Sequence, residues 1–275
     1  MDLREETKAI LNKYGLRANK KLGQNFLIEQ EIINAIAQKA EISKEDVVIE
    51  IGPGIGSLTN ALLAHAKKVI AIELDPNMVD ILKARFGIFE HLEIVCADVL
   101  KTNLAELIKG ENSVKVVANL PYYITTPIIM KLLEEKLKET SITVMVQKEV
   151  GERICATHED KEYGAITVSV QYYTSPQIII DVPKENFFPS PEVDSCVIKL
   201  DLLEQPRVKV KDEKLFFRLV KGAFTQRRKT ISNSLTCTGK SKQEIEQILH
   251  QLNIETKLRA ENLSIEQYAK IANML

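Results

Sequence analysis

The sequence contains no apolar run approaching the roughly 18 residues that a membrane-spanning helix needs, and its first fifteen residues, MDLREETKAILNKYG, are too charged for a signal-peptide core. Cysteine is sparse. The four thiols, Cys96, Cys155, Cys196 and Cys237, include no pair spaced as a metal knuckle or a redox motif, so buried, reduced thiols are expected. No internal repeat and no low-complexity tract is present. Net charge is also nearly absent, because 37 Lys and Arg oppose 38 Asp and Glu for a formal −1. What remains, 275 residues with 45% hydrophobic and 27% charged side chains, excludes disordered, collagenous and disulfide-knot classes. The length suits one large domain or two unequal ones. The expectation is a soluble cytoplasmic chain.

The missing net charge conceals an uneven distribution. Residues 1–21 carry six basic and three acidic side chains, and residues 201–275 carry fourteen and nine, which leaves 17 and 26 in between. Local charges of +3, −9 and +5 describe an acidic body with basic ends, a pattern suited to a polyanionic partner.

Short apolar runs alternate with helix-period segments through the first two thirds. Val47–Ile51, Val69–Ile72, Leu92–Cys96 and Val114–Ala118 read as buried strands, and Leu58–Ala64 and Met78–Phe86 as intervening helices. Glu31–Ala40 places apolar residues at 32, 33, 36, 37 and 40 and reads as an amphipathic helix over the sheet. Ile142–Gln147, Ala165–Tyr173 and Cys196–Leu200 are further strand candidates. The expected fold is therefore α/β, a Rossmann-like parallel sheet with helices on both faces. After Leu200 a polar stretch with Pro206 leads to helical patterns at 215–224, 242–252 and 264–274. This predicts a large domain at 1–204 with a basic N-terminal arm, and a small helical domain at 205–275.

Ligands of open α/β sheets bind beyond the carboxyl ends of the strands. Those ends lead into Gly52-Pro53-Gly54-Ile55-Gly56, Glu73, Asp98 and Asn119, so four loops converge on one crevice. Glycines permit a sharp turn and close approach of backbone to ligand. Glu73, 21 residues after Gly52, has the spacing of an acid that accepts ribose hydroxyls. A dinucleotide fingerprint places its third glycine where Ser57 stands, which disfavours a nicotinamide cofactor. Asp98 is a candidate acceptor for an exocyclic adenine amine, or an ordinary turn carboxylate.

Asn119-Leu120-Pro121-Tyr122 is similar to the Asn-Pro-Pro-Tyr signature of methyltransferases that act on exocyclic amines. Adenine N6 is a poor nucleophile because its lone pair is delocalised into the ring. An asparagine oxygen and a backbone carbonyl accepting its two hydrogens would redirect that lone pair, and alignment would supply much of the rate. The Tyr122 ring offers a stacking face for an extruded base. His65, His91, His158 and His250 are isolated from these motifs.

Taken with Lys20-Lys21-Leu22-Gly23-Gln24-Asn25-Phe26-Leu27, Gln147-Lys148-Glu149-Val150 and Phe187-Phe188-Pro189-Ser190-Pro191-Glu192-Val193-Asp194-Ser195, this ordered set closely resembles the ribosomal RNA adenine N6,N6-dimethyltransferases from about residue 17 to 235. The Pro-x-Pro-x-Val-Asp-Ser segment and Phe224–Ile231 look like the bacterial small-subunit branch more than the macrolide-resistance branch that methylates large-subunit RNA. The resemblance implies a seven-stranded sheet with its last strand antiparallel, S-adenosylmethionine as donor and no metal. The implied acceptors are two adjacent adenines of the 3′-terminal hairpin of 16S rRNA in the immature small subunit, each receiving two methyl groups; separately, no heptad seam or association stripe is apparent in the sequence, so a monomer is expected. The resemblance also implies donor-binding roles for Asn25, Leu27, Gly52, Gly54, Glu73, Asp98 and Asn119. The catalytic set would be Asn119, Leu120, Tyr122 and Phe187, with Tyr122 and Phe187 sandwiching the target base and Phe188 as the adjacent alternative. Lys20, Lys21, Arg227, Arg228 and Lys229, with Arg17, would neutralise RNA phosphates. Rival readings are a large-subunit methyltransferase and a ribosome-assembly factor acting mainly by binding.

Overall fold

A computed structural model describes residues 2–19, 22–135, 139–158 and 160–275. Its strands are β1 (Phe26–Leu27), β2 (Val47–Ile51), β3 (Lys68–Glu73), β4 (Leu92–Cys96), β5 (Val114–Asn119), β6 (Glu139–Gln147), β7 (Thr174–Val182), β8 (Phe187–Phe188) and β9 (Ser195–Leu202). Seven of them form one sheet in the order β4-β3-β2-β5-β6-β9-β7. The β4 to β6 neighbours run parallel, and β9, last in the chain, pairs antiparallel with β6. Chain order reverses between β2 and β5, which is the switch point where such sheets bind ligands.

The longer helices of the first part are α1 (Leu3–Lys13), α2 (Gln30–Lys39), α3 (Ser57–His65) and α4 (Pro76–Phe86). They are followed by α5 (Leu104–Leu107), α6 (Thr125–Glu134) and α7 (Lys148–Cys155). Helices cover both faces of the sheet. β2 is buried at every position, as a central parallel strand should be, yet it carries Glu50 in its apolar run. No helix among the described residues is long and apolar enough to cross a membrane.

The remaining helices, α8 (Ala165–Tyr173), α9 (Glu213–Thr225), α10 (Ile231–Ser234), α11 (Lys242–Gln251) and α12 (Ile265–Met274), pack a separate apolar core around Phe216, Leu219, Tyr268 and Ile271. Two compact units result, one of residues 1–151 and 177–202, the other of 152–176 and 203–275. The second unit takes in 152–176 as well as 203–275, whereas the expected division at 204/205 leaves 152–176 in the first domain.

That reassignment goes with a correction, because Ala165–Tyr173 is a helix where β-branched and aromatic residues suggest a strand. Thr167 accepts the Gly164 N–H at 3.0 Å at the helix start, and Val168 and Tyr172 bury against the second core. Tertiary burial here outweighs intrinsic preference. The true strand is β7, whose Pro176 is tolerated because β7 lies at the sheet edge. The two-residue ladder β1–β8 and helix α1 also lie outside the sequence reading. Of the four cysteines only Cys196 is buried, while Cys96 and Cys237 are exposed.

Gly56 has a left-handed φ of +89°, and a Cβ there would stand 2.3 Å from the buried Phe86 ring. Left-handed backbone and overpacking together should cost about 2–5 kcal/mol in Gly56→Ala. Urea denaturation of the variant checks this, and a loss below about 1 kcal/mol would show that the α3–α4 packing yields easily.

Candidate functional site

The carboxyl ends of the adjacent strands β4, β3, β2 and β5 open into one cleft. Its walls are residues 22–27, the glycine turn, Glu73, Asp98, the segment Asn119–Ile124 and the buried Glu50. Asn25, Leu27, Gly52, Gly54, Glu73, Asp98, Asn119, Leu120 and Tyr122 are thus all brought together.

Gly52, Gly54 and Gly56 all have positive φ, which suits them to this turn. Glu73 holds the turn in place: one carboxylate oxygen accepts the Gly54 N–H at 3.0 Å, the other the Asp75 N–H at 2.8 Å. Burial pushes its carboxyl above the ordinary value, opposed by these backbone bonds. A carboxylate has about four acceptor sites, so capacity for a ligand hydroxyl remains. Asp75 caps α4 through the Asn77 N–H and accepts a 2.9 Å bond from the Gln24 amide. Residues 22–27, which line the cleft, are thereby fastened to the start of α4. Asp98 accepts the Leu100 N–H at 3.0 Å and stands 3.6 Å from Lys101.

Asn119 donates from Nδ2 to the Asn25 carbonyl at 3.1 Å. That bond fixes the amide's orientation and leaves Oδ1 as the side chain's acceptor. Leu120 is buried beside it. Tyr122 lies on the cleft wall, and its hydroxyl meets the buried Ser195 hydroxyl at 2.6 Å. Burial raises the Tyr122 phenol further, so it is neutral at physiological pH.

The expected sandwich is not present. Phe187 has no exposed surface and packs into the sheet core with Leu27, its partner in the β1–β8 ladder. Alternation along that ladder turns Phe188 the other way, onto the cluster of Leu11 and Phe26, with the Lys8 ammonium 5.8 Å from its ring centre. Neither phenylalanine lines the cleft.

Arg17, Arg227, Arg228 and Lys229 are exposed, and Arg227 donates to the Lys161 carbonyl at 3.2 Å. Lys20 and Lys21 lie outside the described residues.

Sequence reasoning gave no role to Glu50, Gln24, Asp75 or Ser195. Glu50 had a visible signal, an acid inside a fully buried strand. Its Oε2 has no hydrogen-bond partner among the described residues. Burial first, then the nearby Glu73 charge, push its carboxyl up to about 8.

The fold and this crevice define a Rossmann-like methyltransferase, in which a buried acid, a glycine turn and a polar strand-end loop share one cleft. The family model for ribosomal RNA adenine dimethylase matches residues 15–275, and the chain belongs to that family. It is 49% identical over 269 residues, 98% of each chain, to the ribosomal RNA small subunit methyltransferase A of Clostridium botulinum strain Okra. The corresponding protein of Alkaliphilus oremlandii is 47% identical, with coverage of 98% and 96%. Among solved structures, a dimethyladenosine transferase from Plasmodium falciparum superposes with a TM-score of 0.75 at 27% identity, covering 88% of this chain and 94% of that one. The 23S rRNA methyltransferase ErmE superposes at 0.71 and 25%, covering 91% and 99%.

An acid with a raised pKa binds its proton more tightly in the folded state, so between about 4.5 and about 8 stability falls as pH rises. Glu73 contributes in the same direction. Glu50→Gln should therefore flatten the decline of the urea midpoint between pH 5 and pH 9 and leave the variant the more stable protein at pH 9. A slope as steep as in the unsubstituted chain would show that Glu50 ionises normally.

Proposed function

We propose that the protein uses S-adenosylmethionine to dimethylate N6 of two adjacent adenines in the 3′-terminal hairpin of 16S rRNA, acting as a monomer on the immature small subunit in the cytoplasm. The observation that carries the chemistry is the Asn119 amide. Its nitrogen is held by the Asn25 carbonyl, so its oxygen is available to an amine hydrogen at the cleft.

The cleft suits the donor. Glu50 Oε2 is a buried, unpartnered acceptor, and the donor's cationic end would offset the burial that keeps this carboxyl protonated and favour its ionised form. At Gly52 the nearest atoms to a built Cβ are 3.8 Å away, room that a side chain would take from a ligand. Asn25, Leu27 and the Gly52–Gly54 turn would hold its methionine end, Glu73 its ribose and Asp98 its adenine. When bound, the donor supplies an electrophilic methyl group on a positively charged sulfur.

The acceptor base would be taken out of its stack and laid on Tyr122. Because the Tyr122 hydroxyl is engaged by Ser195 and held neutral, its part is to offer a ring face. Asn119 Oδ1 and a backbone carbonyl of the 119–122 loop would accept the N6 hydrogens and turn the lone pair toward the methyl group. The described cleft walls hold no His, Cys or Lys. Methylated N6 is transiently cationic and acidic enough to lose its proton to water, so no strong base is needed.

Support for the small-subunit substrate comes from relatives of that name at 47–49% identity along nearly the whole chain. The second unit, with Arg228 and Lys229 exposed, would bind RNA backbone and place the hairpin.

Asn119→Ala should lower methyl transfer at least about 100-fold while donor binding, followed by calorimetry, stays measurable. Near-normal turnover would remove the proposed role. With labelled S-adenosylmethionine, unmethylated small subunits should acquire dimethyladenosine and large-subunit RNA should not. The opposite pattern would transfer the activity to the large subunit.

A further inference from the structure

Helix α9 presents two contrasting faces. Phe216, Leu219, Val220, Ala223 and Phe224 are buried in the core of the second unit, while the exposed positions within the helix are Lys214, Arg218, Lys221 and Thr225. At 3.6 residues per turn these four fall in a wedge of about 60°, and the three cations follow one another at about 6 and 4.5 Å along the axis. Lys214, Arg218 and Lys221 have no ion-pair partner among the described residues. The two acids at the start of the helix are turned to other uses. Asp212 caps the helix through the Leu215 N–H, and Glu213 accepts the Tyr173 hydroxyl. Some lysines elsewhere have a carboxylate one turn away, as Lys109 has Glu106, the half-buried Lys240 has Glu244 and Lys242 has Glu246, whereas exposed cations such as Lys83, Lys257 and Lys270 stand singly and not in a row on one helix face.

We infer that the Lys214–Arg218–Lys221 face of α9 is an RNA-backbone docking track of the second unit. The inference rests on the rRNA substrate proposed above and extends it to a surface outside the basic cluster at 227–229. Unpaired cations at regular intervals on a rigid helix suit a strand with one negative charge per nucleotide, because each contact releases condensed counterions. A membrane surface is a poor occupant, since an interfacial helix must offer an apolar face and the apolar face of α9 is buried in the core. Arg227, tied to the Lys161 carbonyl, contributes less to such a track than Arg228 or Lys229.

The test compares the unsubstituted protein with K214Q/R218Q/K221Q and with the charge-matched control K109Q/K240Q/K242Q, Lys240 being half-buried and the other five positions exposed. Binding of an unmethylated 16S rRNA transcript is measured between 50 and 300 mM salt, alongside the thermal midpoint and S-adenosylmethionine binding. The α9 variant should bind at least about tenfold more weakly at low salt and lose about 2 units from the slope of log K against log salt. The control should change either quantity far less, and midpoint and donor binding should be retained by both. An unchanged slope in the α9 variant, or an equal loss in the control, overturns the track while methyl transfer to rRNA by the unsubstituted protein leaves the function standing. Absence of any rRNA methylation by the unsubstituted protein removes the function and the track together. Retained RNA binding with lost binding to polyglutamate would assign the face to an acidic protein partner and overturn the RNA occupant.

Discussion

Much of this structure depends on one buried carboxylate, Glu73 at the end of β3. Its two oxygens reach across neighbouring strand ends, one to the Gly54 N–H beyond β2 and the other to the Asp75 N–H before α4. The glycines of the turn have backbone angles that disfavour other residues, and only Pro53 and Ile55 between them offer side chains for anchoring, Ile55 in the cluster of Leu11, Phe26 and Met78. Glu73 supplies the missing restraint. From Asp75 the bonds continue to Gln24, whose amide oxygen accepts the Asn19 N–H at 2.8 Å. A single chain of polar contacts thus runs from the glycine turn to the N-terminal segment, whose residues 22–27 line the cleft. The Arg85 guanidinium reinforces it by bonding the Ile55 carbonyl and Glu6, which brings α1 onto the same turn.

A second constraint arises where β2 carries Glu50 among apolar neighbours. Two carboxyls, Glu50 and Glu73, share a low-dielectric wall, and one relieves their repulsion by keeping its proton. An acid kept neutral by burial is destabilising relative to an apolar residue, and such placements belong to sites more than to cores. Ser195 serves the opposite wall. It lies at the start of β9, paired with Gln147 in the antiparallel ladder, and carries the Tyr122 hydroxyl. Strand β9 therefore also sets the angle of the Tyr122 ring on the cleft wall.

The sheet and the cleft were legible for a physical reason. Parallel central strands are buried on both faces, so β2, β3 and β5 read as unbroken apolar runs, and the polar residues that end them are the cleft walls. Legibility failed where long-range packing decides. The segment 165–173 has strand-like composition and folds as a helix, because the second core offers its valines and tyrosines a better burial. Phe187 and Phe188 are indistinguishable by type, and only the β1–β8 register sends the first inward and the second toward α1. No local pattern encodes that choice. The Gln24–Asp75 bond, 51 residues apart in sequence, is equally invisible until the fold exists.

Whole-chain neutrality takes on a different meaning once burial is considered. Acids concentrated in the middle of the chain include those that line the cleft, where Glu50 is neutralised by its own proton and Glu73 is buried and bonded to backbone N–H groups, so a part of the formal −9 is not expressed at the surface. The C-terminal cations behave differently. Lys240 and Lys242 are offset by carboxylates one turn along α11, which reduces the expressed charge there as well. What is left over includes the α9 face, Arg228 and Lys229, together with the scattered exposed cations Lys209, Lys257, Arg259 and Lys270. The field a polyanion meets is set by this residue of unpaired, exposed cations, because charges separated by more than about 8–10 Å in solution are largely screened from one another. A protein of net charge −1 can therefore attract RNA strongly at one face and remain nearly neutral in sum.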